Sequence, residues 1–133
     1  MYKKGFTIIE LLVVIAIIAV LIAAGTVLYS SVKAKSRDAT REQHMKTLQN
    51  ALAIYVASSQ SYPVYSGTIT GSDDFSVLLK DVGAIQEIPQ DPVNQGEYVY
   101  DYASGDGQSY TITYHLETSS ISGKSAGENQ VTP

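Results

Sequence analysis

The sequence contains no cysteine. Disulfide bonds, iron–sulfur clusters and thiolate zinc sites are therefore excluded, so any folded domain of this chain must be held together by side-chain packing. Proline is scarce as well, with 4 in 133 residues and none before Pro63. Because proline interrupts helices, its absence from residues 6–59 favours one long helix, in which Gly25 is the weakest point.

Charge is missing from a long stretch near the start of the sequence. No charged residue occurs from Leu11 to Val32, which is long enough for a membrane-spanning helix. Glu10 lies directly before this stretch. A carboxylate costs about 2.5–3.5 kcal/mol at the centre of a bilayer and less near its surface. A simple membrane anchor does not need such a residue, so we interpret Glu10 as functional.

The sequence has little that points to catalysis. It has no His-Glu-x-x-His motif of zinc proteases. Gly123-Lys124-Ser125 resembles the end of a phosphate-binding loop, but Thr118 stands where the first glycine of that loop is required. His44 and His115 are interpreted as surface residues rather than as ligands or bases. We therefore expect that the protein is not an enzyme.

Charge is unevenly distributed after the apolar stretch. Residues 33–46 carry five cationic and two acidic side chains, a net charge of +3, whereas residues 47–133 carry two lysines and ten acidic residues, a net charge of −8. An acidic head disfavours direct binding of nucleic acid. Two interpretations stay open: both charge sets form a solvated surface, or basic and acidic segments meet between stacked subunits.

A short motif opens the sequence, in which Lys3, Lys4 and Gly5 precede Phe6-Thr7-Ile8-Ile9-Glu10. This motif and the apolar stretch resemble the leader and transmembrane segment of type IV pilins and their relatives. The resemblance implies that a prepilin peptidase cleaves between Gly5 and Phe6, and that the new amino terminus of Phe6 is N-methylated. Glu10 would become the fifth residue of the mature chain, which is the family's position for the acid that governs assembly.

Cleavage before Phe6 would create a positive amine four residues from Glu10. At this spacing the two groups can pair within one helix, or the amine can neutralise Glu10 of a neighbouring copy. An apolar helix gains little by leaving lipid for other apolar helices. A buried charge pair could therefore set the register of the helices as they gather.

The orientation in the membrane does not follow from charge alone, because lysines and arginines flank the apolar stretch on both sides. A plain signal anchor and a secretory signal peptide cleaved near Ala23-Ala24-Gly25 are alternatives to the leader. The resemblance implies a single-pass protein of the cytoplasmic membrane, surrounded by lipid before assembly, with its head on the extracytoplasmic side. It also implies an inner-membrane assembly platform as partner, and a cell-surface or periplasmic filament after assembly.

The pattern changes beyond the apolar stretch, where the helix is predicted to continue as an amphipathic segment. Met45, Leu48, Leu52 and Tyr55 follow one another at spacings of three, four and three, which predicts a stripe buried against the head. The opposite, exposed face is predicted to hold Arg41, Gln43, Lys46, Thr47 and Gln49. Tyr62-Pro63 ends the helix, because Pro63 cannot continue it.

The remaining residues predict a small head. Residues 62–96 are interpreted as loops with one short helix, which starts after Ser72-Asp73-Asp74 and stops at Gly83. Alternating apolar residues predict two strands, at Glu97–Tyr102 and Ser109–Glu117, which form an antiparallel hairpin on the helix. Residues 119–133 are polar and are expected to form a mobile tail with at most one weak strand.

The segment Ile88-Pro89-Gln90-Asp91-Pro92 is a turn-prone connection, and it resembles the head of the major pseudopilin of type II secretion. The predicted fold class is α+β: a long N-terminal helix, transmembrane in its first half, packed against a small antiparallel sheet. The predicted parts are a leader (1–5), a transmembrane helix (6–32), its amphipathic continuation (33–61), a globular head (62–118) and a polar tail (119–133).

These features predict a structural subunit of a type IV pilus-like filament, which is a helical homo-oligomer. A major pseudopilin of a type II secretion system is one alternative, and a monomeric membrane-anchored binding domain is another. No cofactor is predicted, although calcium stays open, because major pseudopilins commonly bind it. The sequence offers carboxylate donors without a recognised calcium-loop spacing, at Asp91, Glu97, Asp101 and Asp106.

Overall fold

The computed structural model describes residues 5–133, without the side chains of Thr26 and Val27. The chain divides into two compact units, Met1–Ala34 (the N-terminal unit) and Lys35–Pro133 (the head unit). Helix α1 spans Ile8–Ser59 and so contributes residues to both units.

In the N-terminal unit, α1 is apolar on all sides. Its most apolar 18-residue window has a mean hydropathy of 3.1, and none of that window is buried. By length and composition this helix can cross a membrane.

In the head unit, α1 is followed by five elements: β1 (Tyr65–Thr68), α2 (Asp74–Asp81), β2 (Asp101–Ser104), β3 (Thr111–Leu116) and β4 (Gly127–Val131). The four strands form one antiparallel sheet in the order β1-β2-β3-β4. The predicted stripe of α1 is confirmed, since Met45, Leu48 and Leu52 are buried in the core. They share that core with Ile69, Phe75, Leu79, Ile88, Tyr100, Tyr102, Tyr110, Ile112, Tyr114 and Leu116. The α+β prediction is confirmed.

The predicted hairpin is present as β2 and β3, but its first strand was placed too early. Residues 97–100 lie outside the strands, and β2 begins at Asp101. Before it, Tyr98 donates its backbone N–H to the carbonyl of Gln95 at 3.1 Å, which closes a tight turn. The alternation of tyrosines marks burial here rather than continuous pairing, because Tyr100 is buried without being in the strand.

The two outer strands lie where loops or a tail were predicted. Strand β1 pairs with β2 over four residues, and β4 pairs with β3 over five. Gly127–Val131 therefore forms the one weak strand that was expected as a possibility within the polar tail. Neither segment alternates apolar and polar side chains, since Tyr-Ser-Gly-Thr and Gly-Glu-Asn-Gln-Val form edge strands whose partners complete their backbone hydrogen bonds.

The short helix α2 is close to its prediction. Asp73 caps it, because its Oδ1 accepts a hydrogen bond from the N–H of Ser76 at 2.9 Å. Gly83 follows the helix with φ of 71°, a left-handed conformation that glycine adopts without strain. The predicted start and stop are both confirmed.

Arg41 was predicted to be exposed, and this is wrong: its side chain is fully buried, as is that of Asp38. Arg41 precedes Met45 by four residues and Leu48 by seven, so all three share one face of α1. The apolar stripe thus continues as a charged stripe toward the start of the head unit. Gln49, also predicted on the opposite face, is half-buried and donates from Nε2 to the carbonyl of Thr132 at 3.3 Å.

Arg41 is the centre of a buried cluster of charges, the Arg41 cluster, which consists of Arg37, Asp38, Arg41, Asp91 and Glu117. Its guanidinium makes a bidentate contact with Asp91, in which Nε donates to Oδ2 at 2.6 Å and Nη2 donates to Oδ1 at 3.0 Å. Nη1 donates to Asp38 at 2.8 Å and to Glu117 at 2.7 Å. Burial alone would lower the pKa of Arg41, but the hydrogen bonds to Asp91, Glu117 and Asp38 raise it.

The cluster connects α1 by hydrogen bonds to two distant segments of the head unit. Asp38 accepts hydrogen bonds from the backbone N–H groups of Glu117 at 2.9 Å and Thr118 at 2.8 Å, directly after β3. Asp91 belongs to the connection at residues 88–92, and it accepts the N–H of Val93 at 2.8 Å. Among the described residues, no buried side-chain polar atom lacks a hydrogen-bond partner. The cluster therefore has the complete pairing that buried charges require.

Ion pairs in the head unit also connect basic and acidic residues of the same chain. Arg37 pairs with Glu117, and Lys124 pairs with Glu42, within one chain. Arg37 and Arg41 are therefore engaged with acids inside their own subunit.

Replacing Arg41 should strongly destabilise the head unit. Arg41→Met keeps the length of the side chain but leaves the carboxylates of Asp38 and Asp91 buried without their cation, which typically costs about 3–5 kcal/mol. Urea unfolding of the full chain in detergent, followed by tyrosine fluorescence, measures the change. Lys46→Met on the exposed face of α1 is the matched control and should change stability by less than about 0.5 kcal/mol. Equal stability of the two variants would contradict the role given to the cluster.

Acid should weaken the head unit through Glu117. A hydrogen bond from Arg37 and, against the effect of burial, a second from Arg41 lower the pKa of Glu117 from 4.5 to about 2. The unfolded chain then binds a proton more readily than the folded one, so this stabilisation is complete above about pH 5 and is lost as the pH falls toward 2.

The check is the free energy of unfolding measured between pH 7 and pH 2. Glu117→Gln should be less stable at pH 7 and should lose less stability on acidification than the unmodified chain. Glu128→Gln, which changes an exposed acid on β4, is the control and should leave the slope unaltered. An unchanged slope in Glu117→Gln would refute the assignment.

Candidate processing and assembly site

Helix α1 begins with a reciprocal pair of side-chain caps. Oε2 of Glu10 accepts hydrogen bonds from the backbone N–H of Thr7 at 2.8 Å and from its hydroxyl at 2.7 Å. In return, the N–H of Glu10 donates to Oγ1 of Thr7 at 3.3 Å. This is a capping box, in which residues three apart satisfy each other's groups at the start of a helix.

The capping box gives Glu10 a local partner that the sequence interpretation missed, although the spacing Thr-x-x-Glu was there to indicate it. Both hydrogen bonds from Thr7 reach the same oxygen, Oε2. The positive end of the helix dipole also favours a carboxylate at this position. Hydrolysis of the bond between Gly5 and Phe6 would leave the N–H of Thr7 in place, so the capping box does not depend on the leader.

The bond between Gly5 and Phe6 lies outside the helix and is accessible. Residues 5–7 have no regular secondary structure, and Phe6 is 78 % exposed. A Cβ atom built on Gly5 would meet no described atom within 4 Å. A substitution at Gly5 would therefore not disturb the described structure. The two leader lysines predicted to precede the cleavage site lie outside the described residues.

The structure places the predicted site residues along one short segment. Gly5 and Phe6 flank the proposed scissile bond, and Glu10 follows within the first turn of α1. In the uncut chain the nitrogen of Phe6 is a neutral amide. The predicted charge pair with Glu10 can therefore form only after cleavage.

The carboxylates considered for calcium have other partners or lie apart. Asp91 binds Arg41, Asp101 accepts from the hydroxyl of Thr68 at 2.6 Å, and Asp106 accepts the N–H of Gln108 at 2.9 Å. In the part of the chain that the structure describes, no three His, Asp or Glu side chains converge on a common point.

The two histidines were predicted to be surface residues, but the structure shows that neither is fully exposed. His44 is half-buried, and its Nδ1 lies 2.9 Å from the hydroxyl of Tyr100. Burial lowers the pKa of His44, so the neutral imidazole is favoured. His115 is half-buried too, with its ring edge-on to that of Tyr98. Both side chains pack against tyrosines.

The segment Gly123–Gly127 also has the Gly-x-Ser-x-Gly spacing of a nucleophile elbow. An elbow serine lies on a tight turn between a strand and a helix. Ser125 is instead an exposed residue shortly before β4. The structural context of a nucleophile is therefore not met.

A polar groove of about 790 Å³ opens on the head unit, between α1, the start and end of α2, and the connection at residues 87–90. Its volume lies within the range of small-molecule sites. The groove is lined by Gln43, His44, Thr47, Thr70, Gly71, Ser72, Lys80, Glu87, Ile88, Pro89 and Gln90.

Comparison with known proteins identifies the N-terminal segment. Residues 1–26 match the family model described as the prokaryotic N-terminal methylation motif. This motif is characteristic of type IV pilins and pseudopilins, so the predicted resemblance of the N-terminal segment is confirmed. No curated protein and no solved structure matches the chain.

The match covers the segment that carries Gly5, Phe6 and Glu10. A motif of this kind goes with processing by prepilin peptidase and with filament assembly in general, and it is typical of structural proteins rather than enzymes. Together with the apolar part of α1, it indicates anchoring in a membrane.

Proposed function

We propose that this protein is a structural subunit of a type IV pilus-like filament, which is processed by a prepilin peptidase and assembles through α1. One observation carries the proposal: within a methylation motif, an accessible Gly5–Phe6 bond and a capped acid, Glu10, directly precede the uncharged stretch of α1. Neither a membrane anchor nor a soluble helix has a use for this combination.

The first step is the hydrolysis of the amide bond between Gly5 and Phe6. Water supplies the hydroxyl of the new Gly5 carboxylate and the proton of the new Phe6 amine, which is protonated at neutral pH. Methylation of this amine keeps its positive charge. The amine then lies four residues from Glu10, whose Oε2 is engaged by Thr7.

The second step is the pairing of this ammonium group with Glu10 of a neighbouring copy. Each charge is costly in an apolar environment, and the cost falls when the two neutralise each other. A subunit whose charges are matched can therefore leave the lipid for the growing bundle. Apolar helices pack closely where small residues line the contact, and here α1 offers Ala16, Ala19, Ala23, Ala24 and Gly25.

A major pseudopilin of a type II secretion system is the second candidate. It is favoured by the connection at residues 88–92, whose Asp91 is held by Arg41 at 2.6 Å, and by a head without cysteine. Both candidates share processing and helix bundling. Surface fibres on intact cells would favour the pilus, whereas a defect in protein secretion without fibres would favour the pseudopilus.

A monomeric, membrane-anchored binding domain is the candidate from another class, and the polar groove on the head unit is the feature that suits it. Such a protein would need neither cleavage before Phe6 nor the charge of Glu10. It would therefore tolerate substitutions at both positions.

Gly5→Val should block processing. The added side chain meets no described atom, so the effect would fall on recognition by the peptidase rather than on folding. We expect the uncut precursor to accumulate in the membrane, and mass spectrometry of the purified protein to show the missing cleavage. Gly105→Val is the matched control, because a Cβ atom there also meets nothing within 4 Å. If Gly5→Val still gave a product that begins at Phe6, the predicted cleavage site would be contradicted.

Glu10→Val should be cleaved normally but should not enter filaments, because the ammonium group of the neighbour then lacks its partner. Glu10→Gln separates charge from capping: its amide oxygen can still accept the hydrogen bonds of Thr7, but it carries no charge. We expect both variants to fail in assembly, and Thr7→Val, which retains the acid, to assemble. The readout is the yield of sheared fibres relative to total protein. Normal yield from Glu10→Gln would rule out the charge-pair mechanism.

A further inference from the structure

Helix α2 has an apolar stripe on its solvent side. Val77, Leu78 and Val82 are 44 %, 37 % and 42 % exposed, respectively. With Asp74 and Asp81 they follow the spacing i, i+3, i+4, i+7 and i+8, which places all five on one face. The opposite face already supplies the core, through the fully buried Phe75 and Leu79. The outer stripe therefore has no partner within the head unit, so its apolar side chains are available to a partner outside that unit.

A complementary surface lies on the exposed face of α1 in the head unit. Lys35 and Lys46 are eleven residues apart, about three helical turns, so they share one face at a separation of about 16 Å. Ala39 lies between them and is exposed. Neither lysine takes part in an ion pair with any described residue. This face thus has two cations around a small side chain, and its acid, Glu42, is already paired with Lys124 of the same chain.

We propose that the α2 stripe of one copy docks onto this face of α1 in a second copy, with Leu78 over Ala39. The carboxylates of Asp74 and Asp81 then face Lys35 and Lys46. The carboxylates lie about 10 Å apart along α2, and the long lysine side chains span the difference in spacing. This inference rests on the proposed filament function and names the contact between heads.

Two properties of the surfaces favour a second copy as the occupant. The stripe and the face of α1 are different patches of one molecule, and such a contact repeats head to tail into a ring or an open helical assembly rather than closing as a two-fold dimer. Asp74 and Asp81 also oppose docking on an anionic membrane surface, which repels carboxylates. The cations they require are offered by the chain itself.

The absence of cysteine allows a direct test in assembled filaments of the full chain. The double variant Ala39→Cys/Leu78→Cys should give a ladder of covalent multimers when filaments are treated with a short thiol crosslinker. Each single variant should give no ladder. Ala39→Cys/Val64→Cys is the control pair, since Val64 is 64 % exposed but lies outside α2, and it should give no ladder either.

The outcomes separate this contact from the filament function. Filaments without a ladder from Ala39→Cys/Leu78→Cys would overturn the docking and leave the filament intact. Dimers from Leu78→Cys alone, or a crosslink to another protein, would assign the stripe elsewhere and also overturn it. Failure of the unmodified chain to form any filament would overturn the proposed function and this inference together.

A charge reversal gives a second test that needs no crosslink. Asp81→Lys and Lys46→Asp should each lower the fibre yield several-fold, because like charges then face each other across the contact. Combining the two should restore most of the yield. Circular dichroism of the single variants should show unchanged folding, since both positions are exposed. A combined variant no better than either single variant would reject the pairing.

Discussion

The contact between Arg41 and its three carboxylates is the interaction on which the head unit depends. Removing four charged groups from water is costly, and the loss is offset only when the geometry is good and all hydrogen bonds are made. Here the guanidinium reaches Asp38, Asp91 and Glu117. The same carboxylates bind backbone N–H groups after β3 and after residue 91. In a head without cysteine, this network connects two distant segments of the chain to one helix.

The features that could be predicted from the sequence are those that neighbouring residues determine. The start of α1, its uncharged stretch and the motif around Gly5 and Glu10 each lie within a few neighbouring residues, where spacing and composition suffice. Arg41 was misplaced because two of its three carboxylate partners lie 50 and 76 residues away. A lone arginine beside an apolar stripe normally indicates a solvated edge, and only the folded chain shows which acids meet it.

The outer strands of the sheet were also hard to predict from the sequence, because their formation depends on residues that are distant in the chain. Strand β4 has the sequence Gly-Glu-Asn-Gln-Val, which has little tendency of its own to form a strand. It forms because β3 offers an unpaired edge, and because Ile121 and Val131 pack against the core. The capping box of Thr7 and Glu10, in contrast, was readable from its spacing. The chemistry of the candidate site was thus predictable, whereas the outer strands of the head unit depend on pairing between distant residues.

The distribution of cations links the fold to assembly. A guanidinium is planar and binds carboxylates with two parallel hydrogen bonds, so it suits the buried position of Arg41 and the half-buried position of Arg37. Lysine is a flexible, strongly hydrated charge that suits contacts made and broken in water, and Lys35 and Lys46 stay exposed. Salt screens exposed charges far more than buried ones. In the proposed docking, contacts between copies would therefore respond to ionic strength, while the head unit that presents them, whose ion pairs are buried or half-buried, would keep its fold.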